Sequence, residues 1–380
     1  MARNPRRRRI AMTDRKKIRV AVLFGGKSAE HEVSLLSARN VVNALDKERF
    51  EVALVGIDKL GRWHRADASQ LLTSGDGPKL VALEDGTAPL SVDLGAGTDP
   101  VGRDSGSLGS FDVAFPVLHG PFGEDGSIQG LLKVAGIPFV GSGVLASAVG
   151  MDKDVMKRLL REAGIPVGAF VAFRAHQRDR ISFEALREKL GVPFFVKPAN
   201  LGSSVGIRKV GTERELEAAL DLAFSYDRKV LVEANIPGRE LECAVLGNDH
   251  ARASAVGEVV TNTENHGFYS YEAKYLDEQG AVLEIPARLP EHVARRVQQL
   301  ALETYSCLCA EGMARVDFFL RPDGEVLVNE INTLPGFTAM SMYPKLWEAS
   351  GKSYSVLVGE LVEFALERHS AESRLKTSVE

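Results

Sequence analysis

The chain has 380 residues, 44% hydrophobic and 26% charged, with a formal net charge of -4. That balance is ordinary for a globular protein. It gives no bulk attraction to nucleic acid or anionic membranes, and at roughly 100–200 residues per domain it predicts two or three domains. No apolar run approaches the roughly 18 residues of a spanning helix. Cys243, Cys307 and Cys309 have neither redox nor zinc spacing, so they read as small buried hydrophobes in a reducing cytoplasm.

Arg3, Arg6, Arg7, Arg8, Arg9, Arg15, Lys16 and Lys17 crowd a stretch whose only acid is Asp14. Such blocks are solvated tails. Residues 1–17 read as a basic tail, dispensable up to about residue 14, with Met12 an alternative start. Ile18–Phe24 is an apolar run ended by Gly25 and Gly26, the pattern of a strand buried in a parallel sheet. Val33, Leu36, Val41 and Leu45 recur at helical spacing, and Phe50–Ile57 is strand-like again, which completes a βαβ unit. Residues 73–110 read as loop or edge hairpin, and Phe111–Leu118 as a strand. His119–Gly126 is too rich in glycine for regular structure and reads as a functional loop.

A helix over Asp152–Ala163 is stopped by Gly164, with Pro166 beyond. Strands at Val192–Val196 and Ile207–Val210 flank Lys197–Gly206, and a helix at Glu213–Ala223 leads to a strand at Lys229–Glu233. After Leu241 come strands, an amphipathic helix over Glu291–Cys309, a hairpin, and a last helix over Tyr354–Arg368. No internal repeat is present.

The hairpin joins Arg315–Leu320 to Val326–Asn332 through Arg321–Glu325. Alternation puts Arg315, Asp317 and Phe319 on one face, with Glu330 and Asn332. If Arg321 lies opposite Val326, then Asp317 opposes Glu330 and Arg315 opposes Asn332. Opposed carboxylates repel, so something positive is expected between them. Two carboxylates and an amide are hard ligands suited to Mg²⁺ or Mn²⁺, with substrate phosphates completing the shell. Arg315 would then face developing negative charge rather than form an idle ion pair. The alternative is a surface hairpin of solvated charges.

Gly202–Gly206 lies between strands, where backbone N–H groups form anion-binding nests. It follows Lys197, a point charge suited to phosphate; a plain hairpin connection uses the same residues. Gly26-Lys27-Ser28 is not a phosphate-binding P-loop, because Ala21 stands where that motif needs glycine. The dinucleotide fingerprint is absent too, which argues against a dehydrogenase. Glu30 reads either as helix capping or as a partner for an ammonium. Tyr269–Tyr275, with Lys274, is either a closing loop or ordinary surface.

Together these segments resemble the D-alanine–D-alanine ligases of the ATP-grasp superfamily. The resemblance is carried by GGKSAEHEVSL (Gly25–Leu35), LHGPFGEDG (Leu118–Gly126), MDK (Met151–Lys153), KPANLGSSVG (Lys197–Gly206), YEAKY (Tyr271–Tyr275), and ARVDFFL followed by VNEINTLPGFT. It implies an α/β and α+β ATP-grasp fold with an N-terminal Rossmann-like domain. The divisions expected are 18–142 for the substrate domain, 143–240 for the small domain, 241–370 for the metal-hairpin domain, and a tail at 371–380. It also implies ATP-dependent joining of two D-alanines through an acyl phosphate, for peptidoglycan precursors, by a cytoplasmic homodimer.

By the same resemblance, Asp317, Glu330 and Asn332 hold two Mg²⁺ or Mn²⁺ ions, and Arg315 with the Gly336 N–H stabilises an oxyanion. Lys153, Lys197, Ser203, Ser204 and Lys274 contact phosphates. Glu233, Ala234 and Ile236 hold adenine, and Glu240 the ribose. Ala234 departs from relatives that carry Lys there. Glu30 and His119 bind the first substrate, Ser203 and Tyr275 close over it, and Ser341 and Met342 bind the second carboxylate. Rival readings are another ATP-grasp carboxylate–amine ligase, a D-alanine–D-lactate ligase, against which Tyr275 speaks, and a non-catalytic nucleotide-binding homologue.

Overall fold

The computed structural model describes residues 16–66, 111–261 and 281–376. The tail through Arg15, the predicted 73–110 segment and the Tyr269–Tyr275 loop, with Lys274 and Tyr275, lie outside them.

Three sheets organise these residues. The first has the order β3-β2-β1-β4 and is built from β1 (Ile18–Gly25), β2 (Phe50–Ile57), β3 (Trp63–Ala66) and β4 (Val113–Leu118). β1 runs parallel to β2 and β4, and β3 is an antiparallel edge. β1 has neighbours on both sides and layers on both faces, which is why it is a continuous apolar run: Val20–Phe24 are at most 1% exposed. Helix α1 (His31–Ala44) buries Val33, Ala38, Val41 and Val42. Leu36, counted in the predicted stripe, is 42% exposed; the buried stripe runs one position to its side. Loop 119–126 leads into α2 (Ser127–Val134), and α3 (Val144–Met151) follows.

The second sheet, antiparallel in the order β5-β8-β6-β7, contains β5 (Phe170–Arg174), β6 (Phe194–Pro198), β7 (Arg208–Val210) and β8 (Lys229–Ala234). α5 (Phe183–Leu190) and α6 (Glu213–Tyr226) bury their apolar faces on it, whereas α4 (Lys153–Glu162) buries Met156 and Leu160 in a core shared with the third sheet. Local signals fix these helices. Asp152 caps α4, Ser182 caps α5, and Thr212 with Glu215 forms a capping box on α6, which satisfies N–H groups that helices leave open.

The third sheet, antiparallel in the order β11-β10-β9-β12-β13, comprises β9 (Arg239–Gly247), β10 (Arg252–Thr261), β11 (Ala281–Glu284), β12 (Gly312–Leu320) and β13 (Val326–Asn332). Three helices accompany it, α7 (Glu291–Cys307), α8 (Met342–Ala349) and α9 (Tyr354–Glu372). The expected boundary at 240 falls inside β9. One core spans the first and third sheets, joining Val20, Val22, Phe24 and Phe115 to Phe337, Tyr343, Trp347 and Leu361. Arg368 of α9 is buried there. Its guanidinium donates to the carbonyls of Gly141 (2.6 Å) and Phe139 (2.8 Å) and stacks on the Phe139 ring.

Helices α2, α3, α5 and α8 are absent from the sequence reading. α3 (VLASAVGM) is apolar nearly throughout and has no period, and α8 carries Pro344 in its first turn, where proline is tolerated. Of the cysteines, Cys243 is buried, Cys307 is partly covered and Cys309 is exposed, which corrects the expectation that all three are buried. Leu308 takes the inward position after α7, and Cys309 turns outward with φ +54°. Among the described residues no helix is long and apolar enough to cross a membrane.

Candidate active site

The hairpin reaches the expected pairing by a different route. At the turn, Leu320, not Arg321, opposes Val326, and Phe318 opposes Val328. A bulge at Asn329 then shifts the ladder, so that Asp317 opposes Glu330 and Arg315 opposes Asn332. Without that extra residue, Glu330 would turn into the core. On the other side of β12, Asp317 opposes Glu242 of β9, so three carboxylates stand in one cross-strand row.

Cations flank the row. Arg315 Nε and Nη2 clasp the Asp317 carboxylate at 2.7 and 2.8 Å, and Nε lies 2.8 Å from Glu242 Oε2. Lys153 Nζ is 3.3 Å from Glu330 Oε2. Arg315 is therefore ion-paired here, and Arg315 and Lys153 place positive charge at the flanks of the row. Burial alone would depress the Arg315 pKa, but Asp317 and Glu242 raise it, so its charge is secure. Asn332 Oδ1 accepts the Leu334 N–H at 3.0 Å. Among the described residues no group of three or more His, Cys, Asp or Glu is arranged to hold a metal by itself. The Asp317, Glu330 and Asn332 oxygens nevertheless fit a hard divalent ion that shares its shell with phosphates, and the crowded carboxylates favour added positive charge.

Two adjoining cavities meet at this row. Lys153, Gly202, Ser203, Glu242 and Glu330 line both. The first also gathers Lys197, Ser204, Glu233, Ala234, Ile236, Glu240 and Asp317. Glu233 is held by Lys197 at 2.7 Å and by Lys157 at 3.4 Å. Burial lowers the Lys157 pKa; at Glu233 burial works upward, but the two lysines hold the carboxyl below its usual range. Lys153 donates to the Leu201 carbonyl at 2.7 Å, which ties α4 to the glycine-rich loop. In that loop Ser203 (φ +51°) and Ser204 (φ +59°) are both left-handed. Such strain in non-glycine residues concentrates at ligand-binding segments, and consecutive unusual turns aim N–H groups at anions.

The second cavity brings together Glu30, His119, Ser203, Arg315, Gly336, Ser341 and Met342, with Glu330 and Asn332 in its wall. Glu30 sits at the N-cap of α1 yet makes no side-chain cap bond. Its carboxylate, 8% exposed, accepts the Ser203 hydroxyl instead, which favours the pocket alternative over capping. His119 Nδ1 lies 3.6 Å from Glu124 Oε1, and Glu124 Oε2 accepts the Gly120 N–H at 3.0 Å. Burial would lower the His119 pKa, but Glu124, with Glu30 and the Leu334 backbone, raises it; burial also raises Glu124. A Cβ on Gly336 would lie 2.8 Å from Ser341 Oγ, so that turn approaches Ser341 as only glycine permits. Ser341 Oγ in turn accepts the Thr338 N–H at 2.9 Å.

Glu124, Lys157 and Glu242 escaped the sequence reading. Lys157 falls four residues after Lys153, on the same helix face, and Glu242 two after Glu240, on the same strand face; both periodicities were available signals. Glu124 lies inside the loop already singled out.

Two family models match the chain, one described as the D-ala D-ala ligase N-terminus over residues 19–142 and one as the D-ala D-ala ligase C-terminus over 159–363. The chain is 54% identical over 365 residues to a D-alanine–D-alanine ligase of Shouchella clausii, covering 96% of this chain and 98% of that one. A solved D-alanine–D-alanine ligase from Coxiella burnetii superposes with a TM-score of 0.82 at 39% identity, over 94% of this chain and 96% of that one. The VanG D-Ala:D-Ser ligase from Enterococcus faecalis gives 0.79 at 35%, over 92% and 100%.

Proposed function

The chain belongs to the D-alanine–D-alanine ligase family, with the ATP-grasp fold of its structural neighbours, and we propose that its two cavities carry the two half-reactions of D-alanyl-D-alanine synthesis. It is an ATP-dependent ligase whose product serves cell-wall synthesis. The observation that carries the assignment of roles is the row Glu242, Asp317 and Glu330 at the junction of the cavities.

ATP occupies the cavity of Lys197 and Glu233, with adenine near Ala234 and Ile236 and the ribose near Glu240. Lys153, Lys197 and the Ser203–Ser204 backbone neutralise its phosphates, aided by Lys274. Asp317, Glu330 and Asn332 would hold two Mg²⁺ or Mn²⁺ ions, which supply charge neutralisation during phosphoryl transfer. The first D-alanine binds with its ammonium at Glu30, beside His119. Its carboxylate oxygen attacks the γ-phosphorus, the bridging P–O bond breaks, and ADP leaves with the electron pair.

The second D-alanine, its carboxylate at Ser341 and Met342, presents its amine to the acyl carbon. The tetrahedral oxyanion is stabilised by Arg315 and the Gly336 N–H. Collapse expels phosphate, and the amine loses a proton. Arg315 must exchange part of its Asp317 contact for the oxyanion, which charge on a bound nucleotide and its ions promotes. Tyr275 closes over the first substrate. The cytoplasm and a homodimer are proposed on family likeness.

The test is ADP release and product analysis with D-alanine alone and with L-alanine, D-lactate and D-serine, each alone and beside D-alanine. D-Alanine alone should sustain full turnover and yield the dipeptide. Preference for D-lactate or D-serine as the second substrate would reassign the specificity, and ADP release without any D-alanine would remove the ligase role.

A further inference from the structure

One stripe of α1 touches three parts of the molecule. Glu30 at its N-terminus reaches the first-substrate pocket. One turn on, the Ser34 hydroxyl accepts the Gly25 N–H at 2.7 Å and donates to the Val117 carbonyl, which locks the helix to β1 and β4. Next come Ser37 and Asn40, three residues apart and so neighbours on the helix surface. Ser37 Oγ accepts the Phe337 N–H at 3.2 Å, and Asn40 Nδ2 donates to the Phe337 carbonyl at 3.0 Å.

Both polar groups of Phe337 are thus gripped by the helix that carries Glu30. Further contacts fix the grip. Ser37 Oγ lies 3.2 Å from His119 Nε2, the Tyr354 hydroxyl donates to the Phe337 carbonyl at 2.7 Å, and the Phe337 ring meets Phe115 edge-on at 6.0 Å. Ser37 and Phe337 are 0% and 1% exposed. The planar peptide unit that carries the Phe337 N–H begins at the Gly336 Cα, so holding it restricts the backbone on one side of the residue whose own N–H is the oxyanion donor.

We infer that Ser37 and Asn40 are positioning residues for the second half-reaction: they fix the Gly336–Phe337 turn relative to the first substrate held at Glu30. The inference rests on the ligase reading above. The turn follows β13 of the third sheet and Glu30 belongs to the N-terminal one; the shared core joins the two sheets, and the grip adds directional hydrogen bonds that set the backbone of the oxyanion turn against the helix that carries Glu30. Acyl phosphate formation needs no such donor. Misplacement should therefore slow amide formation selectively.

The experiment compares Ser37→Ala and Asn40→Ala with the unaltered protein in two measurements. Dipeptide formation at saturating D-alanine reports the whole reaction. Positional exchange of ¹⁸O between the bridge and non-bridge positions of ATP, in the presence of D-alanine, reports reversible acyl phosphate formation. Expected is a loss of roughly 10- to 100-fold in dipeptide kcat, with isotope exchange undiminished or raised, because an acyl phosphate that waits longer for the amine reverts more often, and the KM for ATP within about two-fold of the unaltered protein. Asn40 is only half buried, so Asn40→Ala keeps the test open if Ser37→Ala fails to fold, and Tm is measured for both. Equal loss in both measurements, or loss in neither, would overturn the inference. Absence of D-alanine-dependent exchange in the unaltered protein would instead sink the ligase reading, and this inference with it.

Discussion

The hydroxyl of Ser203 donates to the carboxylate of Glu30, joining residues 173 positions apart across the mouth of the amino-acid cavity. One belongs to the glycine-rich loop between β6 and β7, the other is the N-cap of α1. Glu30→Gln keeps the shape and a hydrogen bond but removes the charge opposite the substrate ammonium. The KM for the first D-alanine should rise about 10- to 100-fold, the worth of one charged hydrogen bond, with the KM for ATP little changed. Steady-state kinetics that resolve the two D-alanine sites check this, and an unchanged first KM would remove the ammonium role.

Asp317→Ala and Glu330→Ala should each reduce ADP release by roughly 10²-fold or more, while circular dichroism and Tm report an intact fold. Both side chains lie on the half-exposed face of the hairpin, so truncation leaves no large cavity. Unchanged turnover in either variant would refute the phosphate-and-metal assignment.

Tyr275→Phe should harm kcat more than ATP binding, because a closing loop acts after the nucleotide is seated. Equilibrium ATP binding measured beside turnover separates the two. A variant silent in both would discredit the closing role.

The His119–Glu124 pair gives a pH signature. His119 is raised above its ordinary 6.5 and Glu124 above its ordinary 4.5, so in both windows the folded state binds more protons than the unfolded one, and stability falls as pH rises. The His119 contribution is complete below 6.5 and fades as pH climbs through the folded value. Glu124→Gln removes the chief upward influence on His119, so above pH 6.5 its urea midpoint should fall less steeply than that of the unaltered protein. Parallel profiles would contradict this.

Arg368→Met should cost about 2–4 kcal/mol, because the Gly141 and Phe139 carbonyls both lose their buried donor. Neither Arg368 nor its two acceptors line either cavity, so kcat at low temperature should survive. Urea unfolding together with activity at 15 °C checks the pair, and an unchanged midpoint would show that water replaces the guanidinium without loss.

Much of this architecture was legible because its signals are local. β1 announces itself by an unbroken apolar run, and the hairpin by alternation. The facing of Asp317 and Glu330 was read correctly from a wrong premise: the assumed turn register was off by one, and the Asn329 bulge restored it. A bulge leaves no mark in the period of a short strand. Glu242 joins the carboxylate row only because β9 lies beside β12, a strand order that pattern cannot supply. Ser37 and Asn40 looked like ordinary helix residues, since their partner is 300 and 297 positions away. Helices α3 and α5 are short, and their stability comes from neighbours rather than from periodicity.

Glu330 and Glu242 belong to the partition between two compartments, not to either one. A cation or phosphate arriving on the nucleotide side changes the electric field that an amino acid meets on the other. Linkage makes this influence mutual: whatever factor the nucleotide applies to amino-acid affinity, the amino acid must apply in return. Nucleotide and amino acid thus sense each other through a wall they share.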